Sequence, residues 1–245
     1  MTHKTNLHDA MPFLNLLSVL RNHHDDEEEE EELSGMAASA YESITREWDR
    51  KVARTALDQL LEDASARIPK GARILNAGCG TGLRIPEIRA AFQPDSITGL
   101  DKSTAMLDRA RENKFGAFLT TGDLFNLPFE NETFDAVVVT WAMETLADSK
   151  RAVEECLRVL KSGGILAYCF VNLPVQFKLG DQLQPSVLRA LEEVTREQEL
   201  LGSKRIAFDD SQFALIKRHH QGLISTIILG KCCKVEPHML PIKHL

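Results

Sequence analysis

From Ala72 onward, apolar runs of about five residues alternate with longer stretches whose apolar positions recur at three and four. This alternation is the pattern of parallel strands joined by right-handed helical crossovers. The runs predict strands at Arg73–Ala77, Ser96–Leu100, Ala117–Thr120, Phe134–Thr140 and Gly164–Val171, with helices at Arg84–Phe92, Thr104–Glu112 and Ser149–Leu160 between them. Five strands with such crossovers form a doubly wound α/β sheet. Upstream, Tyr41 opens an amphipathic helix carrying Trp48, Val52, Ala56, Leu57, Leu60 and Leu61. Downstream, Pro174 breaks the pattern, a polar helix is expected from Pro185 to Leu201, and a strand from Ile224 to Leu229.

Residues 1–33 differ from the rest, because eight consecutive acids run from Asp25 to Glu32. Self-repulsion keeps such a run solvated, so a disordered acidic tail is the favoured reading. The alternative for its apolar piece, Phe13 to Leu20, is a short helix docked on the body or on a partner. The 245 residues hold 36 acids and 29 Lys plus Arg; removing the run's eight acids leaves 28 against 29. The remaining chain is close to neutral, which removes the composition-level case for a nucleic-acid partner.

No stretch approaches the roughly 20 apolar residues that cross a bilayer. The early apolar segment has no small-residue cleavage pattern after it, so a cytoplasmic location is expected. Five cysteines without paired C-x-x-C spacing read as reduced thiols. Cys232 and Cys233 lack a matching second pair, and no metal is expected.

The chemistry concentrates at strand ends. Asn76-Ala77-Gly78-Cys79-Gly80-Thr81-Gly82 closes the first strand and leads into a helix, placing three glycines in one turn. Glycine there frees φ and lets a ligand touch backbone. Asp101 ends the second strand 19 residues after Gly82, where a carboxylate can accept from ribose hydroxyls. Asp123 follows the third strand. Each feature has an ordinary structural explanation: a strand cap at Gly78, a helix cap at Asp101, an Asx turn at Asp123. Their common register on one sheet edge favours a nucleoside-shaped cleft. The G-x-G-x-G spacing is neither the dinucleotide nor the triphosphate pattern, and no lysine follows to reach a phosphate.

In order along the chain, the glycine turn, Ile97-Thr98-Gly99-Leu100-Asp101-Lys102-Ser103 with Met106-Leu107, Leu127-Pro128-Phe129, Phe134-Asp135, and Arg158-Val159-Leu160-Lys161-Ser162-Gly163-Gly164 resemble the class I S-adenosylmethionine-dependent methyltransferases. The likeness is to their small-molecule, UbiE-like branch (methyltransferase domain 11) and covers about residues 41–172. It implies a Rossmann-like methyltransferase sheet, mostly parallel with an antiparallel strand near the C-terminus. The implied division is a disordered acidic tail over 1–33, a helical lid segment over 34–71, and a cofactor-binding core over 72–172. Residues 173–245 then supply substrate-side helices and the last strands of the same domain.

The resemblance also implies an S-adenosylmethionine site built from Tyr41, Asn76, Gly78, Cys79, Gly80, Gly82, Asp101, Lys102, Met106, Asp123, Leu124, Thr140 and Trp141. Gly78 and Gly80 would lie under the methionine and ribose, Asp101 would take the ribose hydroxyls, and Asp123 with the Leu124 backbone would hold the adenine amine. The family often has an acid in place of Asn76. Core packing is the other reading for Trp141 and for Trp48. If the acceptor atom is a hydroxyl, a general base is needed; Glu144, at a position matching Glu or His of related sequences, is the first choice and His219 the second. Thr145 stands where relatives often have His. A solvated basic face is the competing reading of Lys217-Arg218-His219-His220. The expected partner is a small-molecule acceptor methylated on oxygen, nitrogen or carbon. A regulatory protein that binds the cofactor without turnover is the alternative, and a nicotinamide-dependent oxidoreductase is disfavoured by the glycine spacing. The oligomeric state is not readable.

Overall fold

The computed structural model describes residues 10, 12–14, 16, 40–143, 146, 148–171 and 213–232. A helix over residues 40–48 (α1) passes through a π-helical turn, Asp49–Ala53, into α2, Arg54–Ser65. The core follows as β1 Arg73–Ala77, α3 Ile85–Phe92, β2 Ser96–Asp101, α4 Thr104–Asn113, β3 Phe118–Thr121, β4 Phe134–Thr140, α5 Ser149–Val159 and β5 Leu160–Val171. Strands β6, Phe213–Gln221, and β7, Ile224–Lys231, complete it.

The seven strands lie in the order β3-β2-β1-β4-β5-β7-β6. Pairings from β3 to β5 are parallel, whereas β7 runs antiparallel to both β5 and β6. The expected Rossmann-like α/β sheet, mostly parallel with an antiparallel end, is the observed one. Strand order reverses between β1 and β4, so their crossovers leave opposite faces and open a crevice at the carboxyl tips. Alternation along the buried strands divides the core in two. Ile74, Ala136, Val138, Ile165 and Ala167 pack on the face covered by α2 and α3. Leu75, Val137, Val139, Leu166 and Tyr168 pack on the α5 face.

Three expectations differ from the structure. Within the presumed disordered tail, residues 10, 12–14 and 16 are helical, and Ala10, Phe13, Leu14 and Leu16 are buried in the main core. Apolar burial at these positions outweighs the breaks that Pro12, Asn15 and Ser18 put into the sequence pattern. Strand β6 was not anticipated, because an edge strand reading Lys217-Arg218-His219-His220 shows no apolar alternation. Strand β5 begins at Leu160, ahead of the Ser162-Gly163-Gly164 stretch, with a register irregularity between Phe134 and Ala136. The helix expected over Pro185 to Leu201 lies outside the described residues.

Two of the sequence motifs act through the fold. The Arg158 guanidinium on α5 donates to the carbonyls of Leu127 and Phe129 and to Asn131 Oδ1 at 2.8–2.9 Å, and pairs with Glu155. Glu155 accepts from the Leu127 N–H at 2.8 Å. The loop after β3 is thereby clamped to α5. Beside it, at the amino edge of the sheet, Asp135 accepts from the Arg73 N–H and from Lys161 Nζ, both at 2.8 Å, joining the starts of β1 and β5.

Arg158→Ala removes the donor to two backbone carbonyls and leaves Glu155 with the Leu127 N–H alone. It should cost about 1–3 kcal/mol in urea unfolding. Arg158→Lys should restore less than half of that, because an ammonium cannot reproduce the planar fork.

Candidate active site

The turn after β1 is built on backbone that only glycine adopts easily. Gly78 sits at φ +66°, and a Cβ there would lie 2.6 Å from the Ala142 Cβ. The turn is tied sideways to β2: Cys79 N–H donates to the Leu100 carbonyl at 2.9 Å, and Gly80 N–H to Asp101 Oδ2 at 2.6 Å. Asp101 Oδ1 accepts from the Ser103 N–H at 3.0 Å, and Ser103 caps α4 by accepting from Met106 N–H. The Asp123 carboxylate accepts from the Phe125 N–H at 2.8 Å, an Asx turn. Thus the Asx turn weighed for Asp123 is present, whereas the helix cap weighed for Asp101 is made by Ser103; both carboxylates still line the crevice.

A cavity of about 110 Å³ opens at the carboxyl tips of β1, β2 and β3. Of the residues expected to bind cofactor, Gly78, Asp101, Lys102, Asp123 and Leu124 line it. Cys79, Gly80 and Gly82 belong to the turn beside it, and buried Met106 lies in the first turn of α4. Burial pushes the Cys79 thiol well above its ordinary range, with Asp101 adding repulsion, so it is a packing group and not a nucleophile. Thr140 and Trp141 are buried at the tip of β4, and Trp141 takes φ +59°, a left-handed conformation that is rare for a bulky residue. Asn76, buried at the tip of β1, has no hydrogen-bond partner for either amide atom among the described residues. Buried polar atoms are normally satisfied, so this amide fits the polar end of a ligand lodged at the turn.

Helix α1 covers the turn. Tyr41 packs against Gly80, where a Cβ would meet its ring at 3.6 Å. Burial pushes the Tyr41 phenol up to about 12, so it stays neutral. Tyr41, Thr45 and Trp48 recur at four and three, which turns all three toward the body. Glu42 on the flank accepts from Arg109 Nε at 3.1 Å and from Asn113 Nδ2 at 2.7 Å, and Asn113 also donates to the Thr81 carbonyl at 3.0 Å. Two turns on, Asp49 forms a buried ion pair with Arg84 at the start of α3. Sequence reasoning missed Glu42, Arg109, Asn113, Phe125 and Ala142. Only Phe125 and Ala142 carried a signal, as direct neighbours of Leu124 and Trp141.

His219 is not brought to this cleft. It is exposed on edge strand β6, in register with Thr226, Cys169 and Thr140. Three inter-strand spacings, about 14 Å, separate it from Thr140. Glu144 lies outside the described residues.

This sheet order and this edge define a class I methyltransferase fold. Residues 75–168 match the family model described as "Methyltransferase domain". The chain is 34% identical over 119 residues to a demethylmenaquinone methyltransferase of Desulfitobacterium hafniense, covering 45% of this chain and 47% of that protein. It is 36% identical over 110 residues to the chloroplastic 2-methyl-6-phytyl-1,4-hydroquinone methyltransferase 2 of Oryza sativa subsp. japonica, covering 44% and 31% respectively. The chain spans about half or less of the length of these curated relatives. Among solved structures, a SAM-dependent methyltransferase from Aquifex aeolicus superposes with TM-score 0.53 at 18% identity, over 72% of this chain and 88% of that one. A putative sarcosine dimethylglycine methyltransferase from Galdieria sulphuraria gives 0.54 at 16%, over 76% and 89%. These likenesses bear on the fold. Among the described residues no helix is long and apolar enough to cross a membrane.

The Glu42 carboxyl gives the docking of α1 a pH dependence. Burial alone would raise it, but hydrogen bonds from Arg109 and Asn113 outweigh burial and hold it below its ordinary range. A lowered folded-state value stabilises above the unfolded value near about 4.3 and is lost as pH falls through the folded one. Glu42→Gln should therefore lower the melting temperature at pH 7, and the gap from wild type should close as pH falls below about 4.

Proposed function

We propose that the chain transfers a methyl group from S-adenosylmethionine to an oxygen, nitrogen or carbon of a small molecule by in-line displacement. The observation that carries this reading is the convergence of Gly78, Asp101 and Asp123 on one cavity at the point where strand order reverses. The names of the curated relatives support a small-molecule acceptor.

The cofactor supplies a sulfonium-bound methyl whose departure leaves a neutral thioether. The chain's residues then have three tasks. In this reading Asp101 holds the ribose hydroxyls, Asp123 and the Leu124 backbone hold the adenine amine, and the Asn76 amide meets the methionine end. The glycine turn gives the ligand close contact with backbone, and α1, through Tyr41 and Trp48, excludes water. Alignment of nucleophile and methyl carbon alone supplies up to about 7–11 kcal/mol. The new bond takes the acceptor's electron pair, the carbon–sulfur pair stays on sulfur, and the acceptor's proton leaves to water or to a base. An atom that is already nucleophilic needs no base; for a hydroxyl we assign that part to Glu144. His219, on the far edge strand, has no part in the step.

Incubation with methyl-labelled cofactor and fractionated small-molecule extract should yield labelled product. Cofactor binding without transfer to any fraction would favour a regulatory binding protein, and no binding would overturn the reading. Calorimetry with S-adenosylhomocysteine resolves the residues. Gly78→Ala should abolish binding, because the added Cβ meets Ala142 in a backbone region that side chains avoid. Asp101→Asn should weaken it by about tenfold or more, as charge-assisted hydrogen bonds worth about 1.5–3 kcal/mol are lost.

A further inference from the structure

The antiparallel end of the sheet carries a cation that the cofactor crevice does not use. Arg218 on β6 pairs with Ile227 on β7, and Ile227 pairs with Tyr168 on β5. Residues directly opposite one another in an antiparallel ladder project to the same face, so Arg218 shares the α5 face with buried Ile227 and Tyr168. Two strand spacings, about 10 Å, separate the backbones of Arg218 and Tyr168. Two long side chains span that gap from either side. Two residues further along β6, on the same face, His220 Nδ1 stands 2.5 Å from Ser225 Oγ on β7.

Two polar atoms here are buried without a hydrogen-bond partner among the described residues: Arg218 Nε and the hydroxyl of Tyr168, a residue 0% exposed. The two lysines of the same hairpin are paired, Lys217 with Asp63 of α2 and Lys231 with Glu132. Arg218 makes no ion pair among the described residues. Burial pushes the Tyr168 phenol up and the Arg218 charge pulls it down, so the guanidinium stands within electrostatic reach of the hydroxyl. A guanidinium cannot shed its charge, and a buried donor on a charged group is costly to leave unanswered. The phenol is a donor as well. Water answers a donor but not the charge, whereas an anion answers both. Strand β6 is the last of the sheet, Arg218 is half-buried and His220 exposed, so the corner is reached from solvent.

We propose that this corner is an anion site, separate from the cofactor crevice, in which Arg218 and Tyr168 hold an oxyanion of the carboxylate or phosphate class. Arg218 supplies the charge and a planar fork that matches two oxygens of one anion. Tyr168 donates a third hydrogen bond from the buried side, and the His220–Ser225 pair borders the site toward the β6–β7 turn. The assignment is independent of the methyl-transfer reading.

The chain has two tyrosines, Tyr41 and Tyr168, so tyrosine labelled with carbon-13 at Cζ gives two signals, which Tyr168→Phe assigns. The probes are inorganic phosphate and acetate, titrated into the full chain, with sodium chloride at equal ionic strength as the control for screening. An oxyanion should move the Tyr168 signal saturably and leave that of Tyr41 still, and the probe that binds more tightly names the class. By calorimetry, Arg218→Gln should weaken binding about tenfold or more, and Tyr168→Phe about fivefold. Should Arg218→Gln also displace the Tyr41 signal, a sign of a disturbed fold, Arg218→Lys carries the test. It keeps the charge without the fork and should still bind less tightly than wild type. A Tyr168 signal that neither oxyanion moves, or that chloride moves equally, would overturn the proposal. Wild-type affinity in either Arg218 variant would do the same.

Discussion

The hydrogen bond from the Gly80 N–H to the Asp101 carboxylate, 2.6 Å long, is the contact around which the site is arranged. A turn with successive left-handed glycines cannot satisfy its N–H groups within a helix or a ladder. Here the acceptor is a side chain at the tip of the neighbouring strand, so the shape of the turn and the position of the charge are fixed together. The same carboxylate accepts from Ser103, which caps α4. One group therefore sets the turn after β1, the end of β2 and the start of the next helix. Reversal of strand order between β1 and β4 leaves the edge next to this assembly open.

Closure of that edge falls to α1, which is held by polar anchors as well as by apolar burial. Glu42 ties it to α4 and, through Asn113, to the turn itself; Asp49 ties its end to α3. The Arg84–Asp49 pair is buried, and desolvation offsets much of the attraction of such pairs, so it contributes little net stability. Its effect is on register. A helix held by apolar contact alone can rotate or slide at small cost, whereas a one-residue shift here would leave a buried charge unpaired. The π-helical turn at Asp49–Ala53 adds a residue's worth of rotation between α1 and α2. Across it, Trp48 packs against Phe13 and Trp141 while Leu57, Leu60 and Leu61 pack in the same core beside the sheet.

Legibility in the sequence followed burial. Strands β1 and β4, buried on both faces, are read to the residue because their apolar runs have no competing explanation. The glycine turn, Asp101 and Asp123 were legible because backbone geometry and charge demand particular residue types at strand ends. Edge strand β6 was not, since solvent on its open side removes the pattern. Docking of Phe13 was legible only as the alternative to a disordered tail, for a different reason: its contacts, Trp48 and Trp141, are distant in sequence, and no local periodicity encodes them. Glu42, Arg109 and Asn113 likewise look like ordinary charged and polar positions of two helices until the fold brings those helices together.

Asn76 shows how these layers constrain one another. By strand alternation its side chain lies on the face of Ile74, the face on which Phe13, Trp48 and Trp141 pack. A carboxylate buried at this depth would either carry a large desolvation penalty or take up a proton. The amide keeps donor and acceptor capacity and avoids that penalty. It also adds no charge to attract a sulfonium. In the proposed reading, the electrostatic share of cofactor recognition then falls on Asp101 and Asp123, which line the crevice.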